Sequence, residues 1–151
     1  MRCLLDANVL LRLTQPEHVH HRLAAEAVEA IGVRGRCVIV PQALYEFWSV
    51  ATRPVEFNGL GFKPNDVDQR IRAFVDLFDL LRDERAIYEQ WLELVQTHDV
   101  KGHRAHDTRY VAAMKRHGLT HILTFNEKDF RRYPDITVLN PTTMCVTSLT
   151  A

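Results

Sequence analysis

Apolar positions along the chain fall into two alternating rhythms. Short continuous runs occur at Cys3-Leu4-Leu5, Arg36-Cys37-Val38-Ile39-Val40, Leu77-Phe78-Asp79-Leu80-Leu81, His121-Ile122-Leu123-Thr124-Phe125 and Thr137-Val138-Leu139. Runs of this length, rich in β-branched residues and bounded by turn residues, predict strands. Between them, apolar residues recur every three or four positions. Leu23, Ala24, Ala27, Val28 and Ile31 do so until Gly32 and Gly35, and Ala43, Leu44, Phe47, Val50 and Ala51 do so over Gln42 to Thr52, behind a Pro41 suited to a first helical turn. Further helices are predicted from Asn65-Asp66 through Ile71, Phe74 and Val75, from Glu84 to Gln96, and from the basic loop Val100 to Asp107 up to Gly118. Strands alternating with helices predict an α/β chain with a mostly parallel, about five-stranded sheet covered on both faces. The third run reads as an edge strand, residues 1–151 as a single domain, and the tail from about residue 142 as weakly patterned.

Composition narrows this picture only slightly. An apolar content of 46% and a charged content of 25% are ordinary globular values, and 151 residues suffice for one sizeable core. The formal net charge is zero, which excludes a broadly basic nucleic-acid coat but not local contact with a few phosphates. Cys3, Cys37 and Cys145 are an odd set without metal-ligand spacing. The first two sit in strand-like runs, so they are expected to be reduced and structural, as in an intracellular protein. Asp6 and Arg12 interrupt the N-terminal apolar run, unlike a signal peptide, and no stretch approaches the roughly 18 apolar residues of a membrane span. A soluble, cytoplasmic protein is expected.

The candidate chemistry is acidic. Asp6 falls at the C-terminal tip of the first strand, where open α/β sheets bind ligands, although Asp is also a favoured helix N-cap. Glu46, just before Phe47 and Trp48, is either the polar edge of its helix or a buried ligand. Asp107 lies in a first helical turn, where an acid suits the helix dipole. Asn126 or Asp129, after the fourth strand, offers a further oxygen. In a right-handed doubly wound sheet the first and fourth strands can be central neighbours, so their tips converge. Carboxylates gathered there repel one another, and oxygen-only donors favour Mg²⁺ or Mn²⁺ over zinc. Such ions activate water and stabilise a leaving oxyanion, as phosphodiester hydrolysis requires. The alternative is a set of unrelated caps and helix edges. His18, His20 and His21 are expected to form a solvated helix face. The loop from Arg53 to Asn65, with Phe57, Leu60 and Phe62, is expected to pack over the body or to meet a partner.

Together Leu4-Leu5-Asp6-Ala7-Asn8, the helix bearing Glu46, His106-Asp107-Thr108-Arg109-Tyr110-Val111-Ala112-Ala113 and Leu123-Thr124-Phe125-Asn126-Glu127-Lys128-Asp129-Phe130 resemble the PIN-domain family, and within it the VapC-type toxins of bacterial toxin–antitoxin pairs. The resemblance implies a three-layer α/β/α sandwich and Mg²⁺- or Mn²⁺-dependent cleavage of RNA. Asp6, Glu46 and Asp107 match its three main acidic positions, Asn8 the polar residue two after the first acid, and Thr124 a polar residue at the fourth strand's tip. Asn126 stands where the family often has Asp, which weakens the case for a second metal; Asp129 is a substitute ligand or a turn cap. A homodimer and a small antitoxin are also implied, with the aromatic loop a candidate for either contact. Lys101, His103, Arg104, Arg109 and Lys128 are candidates for substrate phosphates, against solvated surface charge. Two other readings remain: a PIN fold that binds RNA or protein with little cleavage, motivated by Asn126, and an aspartyl phosphatase, disfavoured because Asn8 replaces the second Asp.

Overall fold

The computed structural model describes residues 1–144; Cys145 and most of the weakly patterned tail lie outside them. The chain runs β1 (Arg2–Leu5), α1 (Ala7–Leu13), α2 (His21–Arg34), β2 (Arg36–Ile39), α3 (Pro41–Thr52), α4 (Pro64–Leu77), β3 (Asp79–Leu80), α5 (Arg85–Thr97), α6 (Arg104–His117), β4 (His121–Leu123) and β5 (Thr137–Leu139). Short 3₁₀ turns occupy Val55–Phe57 and Glu127–Phe130. The five strands form one sheet in the order β3-β2-β1-β4-β5, with every pair parallel.

This order explains the layers. From β1 the chain steps twice towards β3, then returns across β1 to reach β4. Right-handed crossovers put α1 to α4 on one face and α5 with α6 on the other. In agreement, α1 packs on α2 and α3, α3 packs on α4, and α5 packs along α6. The sheet between them is dry: Leu4, Leu5, Val38, Ile39, Ile122 and Leu123 are fully buried. Strands covered on both faces read as continuous apolar runs, which is why these were recognisable.

Boundaries differ where apolar runs merge. Val9, Leu10 and Leu11 continue the apolar stretch of β1 but belong to the separate short helix α1. Leu77 stays in α4, and the edge strand β3 shrinks to two residues. Helix α4 begins at Pro64, whose missing N–H costs nothing at that position. Gly118, at φ 68°, ends α6 in the left-handed conformation that glycine tolerates. Gly35 is needed for proximity, since a Cβ there would lie 1.9 Å from the Met1 carbonyl oxygen.

Cys3 and Cys37 are paired in register on β1 and β2, and both are buried and free. Burial pushes the Cys37 thiol up to about 11. The aromatic loop folds back on α3, with Leu60 N and Phe62 N donating to the Val50 and Ala51 carbonyls (3.1 and 2.8 Å), while Phe57 remains 67% exposed. Among the described residues no helix is long and apolar enough to cross a membrane.

Ile122, fully buried in β4, and Leu80, partly exposed on the edge strand, provide a direct contrast. Ile122→Ala is expected to cost about 2–5 kcal/mol by cavity formation. Leu80→Ala should cost under about 1 kcal/mol. Urea unfolding of the two variants checks the difference.

Candidate functional site

The order in which strands are added reverses between β1 and β4, and the crevice beyond their tips is where a doubly wound sheet can receive a ligand. Asp6 is the first residue past β1. Its backbone N–H donates to the Leu123 carbonyl at 3.1 Å, fastening the two tips together. It occupies the N-cap position of α1, yet its side chain makes no capping bond. Instead Asp6 Oδ2 accepts from Thr124 Oγ1 (2.7 Å) and Asn8 Nδ2 (3.3 Å). The Thr124 hydroxyl also accepts from Asn8 Nδ2 (3.1 Å) and from the Asn126 backbone N–H (3.0 Å), filling its hydrogen-bonding capacity. Asn8 Oδ1 accepts from Phe125 N at 3.2 Å. Asp6 is therefore an N-cap by backbone and a crevice carboxylate by side chain.

Glu46 reaches the same region from α3. Tyr110 Oη on α6 donates to its Oε2 at 2.6 Å, and Gln42 Nε2, one turn earlier, donates to its Oε1 at 3.0 Å. Gln42 also donates to the His106 carbonyl (2.8 Å) and accepts from Arg109 Nη1 (3.2 Å). Arg109 Nη2 pairs with Asp83 at 3.1 Å. Arg109, a sequence candidate for phosphate contact, thus forms one end of a brace on Glu46. Burial, then the charges of Asp6 and Glu46, push the Tyr110 hydroxyl well above its ordinary pKa, so it stays a donor.

Asp107 lies in the first turn of α6, and its Oδ2 is buried without a hydrogen-bond partner among the described residues. An orphaned carboxylate oxygen carries a large desolvation cost. Burial, then the charges of Asp129 and Glu46, raise its pKa to about 6; His103 and Arg104 pull the other way. Asp6 rises further, to about 7, chiefly through burial, with Glu46 and Asp107 adding repulsion against the Thr124 hydrogen bond. Asp129 sits on the 3₁₀ turn Glu127–Phe130, and Asn126, exposed just before it, is held by its backbone to Thr124. Among the described residues no three acids, histidines or cysteines form a ready-made metal cage. The donor set still fits a hard divalent cation: all donors are oxygens, the Asp6 and Asp107 carboxyls are raised by burial and by neighbouring carboxylates, and one buried oxygen lacks a partner.

Other sequence candidates have varied surroundings. Lys101 pairs with Asp99, and the Arg104 carbonyl accepts from Thr108 Oγ1. The histidine group is not a solvated face. His18, His20 and His21 are all partly buried, His20 stacks on Phe125, and His21 Nδ1 bonds the Arg12 carbonyl at 2.8 Å. The turn from Thr14 to His20 faces Leu60, Phe62 and Arg70 and brings His20 onto Phe125, and sequence spacing carries no signal of that. Tyr110 and Gln42 also emerge only here, although Gln42 stands one helical turn from Glu46 and Tyr110 one turn from Asp107.

Asp6 makes the metal-free fold pH-sensitive. Its folded pKa, about 7, lies above the ordinary 3.8, so the fold favours the protonated form. That contribution is full below about pH 4 and is lost as the pH rises through 7. Asp6→Asn, which cannot ionise, is expected to be more stable than wild type at pH 7.5 in chelator, by the order of 2–4 kcal/mol. The gap should close by pH 4, as thermal melts across that range would show.

Residues 3–136 match the profile of the PIN domain. No curated protein sequence matches the chain. Among solved structures, the chain is similar to a toxin–antitoxin complex from Klebsiella pneumoniae, with 25% identity, 92% of this chain and 97% of that one covered, and a TM-score of 0.66. It is also similar to VapBC2 from Rickettsia felis bound to a promoter DNA fragment (14% identity, 93% and 98% covered, TM-score 0.70). A third is VapC20 from Mycobacterium tuberculosis, a Sarcin-Ricin loop cleaving toxin (13% identity, 87% and 95% covered, TM-score 0.65). The profile match extends from β1 to just before β5 and takes in Asp6, Glu46, Asp107 and Asn126. By that match the chain belongs to the PIN-domain family.

Proposed function

We propose that this protein is a divalent-metal-dependent endoribonuclease, using Mg²⁺ or Mn²⁺, and the toxin of a cytoplasmic toxin–antitoxin pair. The observation that carries the proposal is the buried, partnerless Asp107 Oδ2 in a carboxylate cluster at the sheet's reversal point. Asp6, Glu46 and Asp107 would hold the metal, with Asn126 and Asp129 as further oxygen donors. The ion would supply charge for the phosphoryl oxygens and lower the pKa of attacking water.

The chain's own residues do the positioning. Thr124 and Asn8 fix one oxygen of Asp6. Tyr110 and Gln42 fix both oxygens of Glu46, and Arg109 braces Gln42. Asp107 keeps a free oxygen, and the nearby His103 and Arg104 side chains are suited to substrate phosphate. Water attacks the phosphodiester, and the products carry 5′-phosphate and 3′-hydroxyl ends.

The similarity to toxin–antitoxin complexes supports an antitoxin partner. A homodimer is proposed with it. Tyr45 and Trp48 on α3 and Val55 and Phe57 in the following turn expose apolar surface for such contacts. One observation favours a second reading, an RNA- or protein-binding module with weak cleavage: Asn126 places a neutral amide where a carboxylate would hold metal more firmly.

Mn²⁺ titration into metal-free protein by calorimetry, with RNA cleavage followed in the same samples, tests the proposal. Wild type should bind Mn²⁺ and cut. Asp107→Ala should lose roughly 100-fold or more in affinity and cleave no RNA. Metal binding without cleavage would favour the binding-module reading; a wild type that neither binds Mn²⁺ nor cuts RNA would overturn the nuclease.

A further inference from the structure

Next to the carboxylates, beyond Asn126 and Asp129, lies an open pocket of about 460 Å³. That volume lies in the range of pockets that bury small organic groups, roughly 300–1,000 Å³. Its walls come from the segment following β4 and from Asn140 after β5. They combine one aromatic ring, Phe125, two amides, Asn126 and Asn140, and two cations, Lys128 and Arg131. Glu127 and Asp129 are its acids. Among the described residues neither Lys128 nor Arg131 is spent in an ion pair. Asn140 Oδ1 accepts from Thr142 N (3.0 Å) and Thr142 Oγ1 (2.8 Å), which orients the amide and leaves its NH₂ as a donor.

Phe125 is the unexpected wall. The ring is half-buried against the hydrophobic core, its remaining surface contributes to an otherwise polar pocket, and its position is tightly fixed. Its backbone N–H is held by Asn8, and it follows Thr124, the residue that fixes Asp6. His20 lies parallel to the ring, with centroids 5.0 Å apart and planes 10° apart, and His18 backs His20 at 5.5 Å. A ring fixed at its backbone and stacked on His20, which does not itself line the pocket, is a rigid platform for another flat group. Single-stranded nucleic acid is held by this combination: aromatic faces for bases, amides for base edges and cations for phosphates.

We propose that this pocket is a nucleotide subsite, in which one unpaired base of single-stranded RNA stacks on Phe125 beside the scissile bond. Asn140 meets the edge of the base, and Lys128 and Arg131 meet flanking phosphate. The inference rests on the ribonuclease reading and deepens it by assigning a base-reading element to the same crevice.

The test uses fluorescence anisotropy with fluorescein-labelled oligoadenylate, oligouridylate and an abasic ribose-phosphate oligomer of equal length, in chelator so that no cleavage intervenes. Wild type should bind at least one base-bearing oligomer more tightly than the abasic one. Phe125→Ala should weaken that oligomer roughly 10-fold, within the range for lost base stacking, and leave the abasic one unchanged. Phe125→Tyr should restore binding, and Lys128→Ala should weaken all three alike. Phe125→Leu, which keeps apolar volume without a π-face, serves if the alanine variant unfolds. No preference of wild type for bases, or an equal loss on abasic and base-bearing oligomers, overturns the subsite while leaving the ribonuclease reading intact. Absence of binding to every oligomer, with no cleavage when metal is restored, overturns both.

Discussion

The pairing of β1 with β4 governs the rest of the structure. It puts Asp6 beside Thr124, and the hydrogen bond between their side chains holds one carboxylate at the open end of the sheet. The surrounding apolar core makes this bond consequential. With Leu4, Leu5, Ile122 and Leu123 fully buried immediately behind, Asp6 has little water to solvate its charge. A side chain held by hydroxyl and amide donors, but facing other acids, is well placed to receive a cation and poorly placed to be left alone.

Much of the fold was legible in the chain because a parallel sheet covered on both faces leaves a distinctive trace. β1, β2, β4 and β5 are short apolar runs between turn residues, with no polar alternation to confuse them. Legibility failed at Val9-Leu10-Leu11 and at Leu77-Phe78, where helix and strand residues form one unbroken apolar stretch and only tertiary packing sets the boundary. The candidate acids were also legible, since each can be located against a strand. Their supports were not. Tyr110 meets Glu46 across a separation of 64 residues, and His20 meets Phe125 across more than a hundred. A tyrosine inside an apolar helix face and a histidine among other histidines each have a common, uninformative explanation. Arg109 shows the converse: a basic residue close in sequence to an acid can have its guanidinium committed elsewhere in the fold.

Zero net charge describes the sum and hides the distribution. Glu46 and Asp107 lie close enough to raise the pKa of Asp6, and Asp129 and Glu46 that of Asp107, while Lys128 and Arg131 line the adjoining pocket. For a polyanion this is a graded surface, repulsive at its centre and attractive at its rim. It favours ligands that bring or meet a cation at the middle over ones held by general electrostatic attraction.

The bond from Tyr110 to Glu46 also joins the two helical layers. Glu46 belongs to α3 on one face of the sheet and Tyr110 to α6 on the other, and Gln42 adds a second link through the His106 carbonyl. These links clasp the layers together beyond the ends of the strands, where no sheet lies between them. A shearing motion of one layer across the sheet must break charge-assisted hydrogen bonds at the crevice before it disturbs the apolar contacts behind. Two such bonds give the crevice the form of a latch on breathing of the sandwich, and α3 and α6 are expected to behave as one cooperative unit in amide exchange.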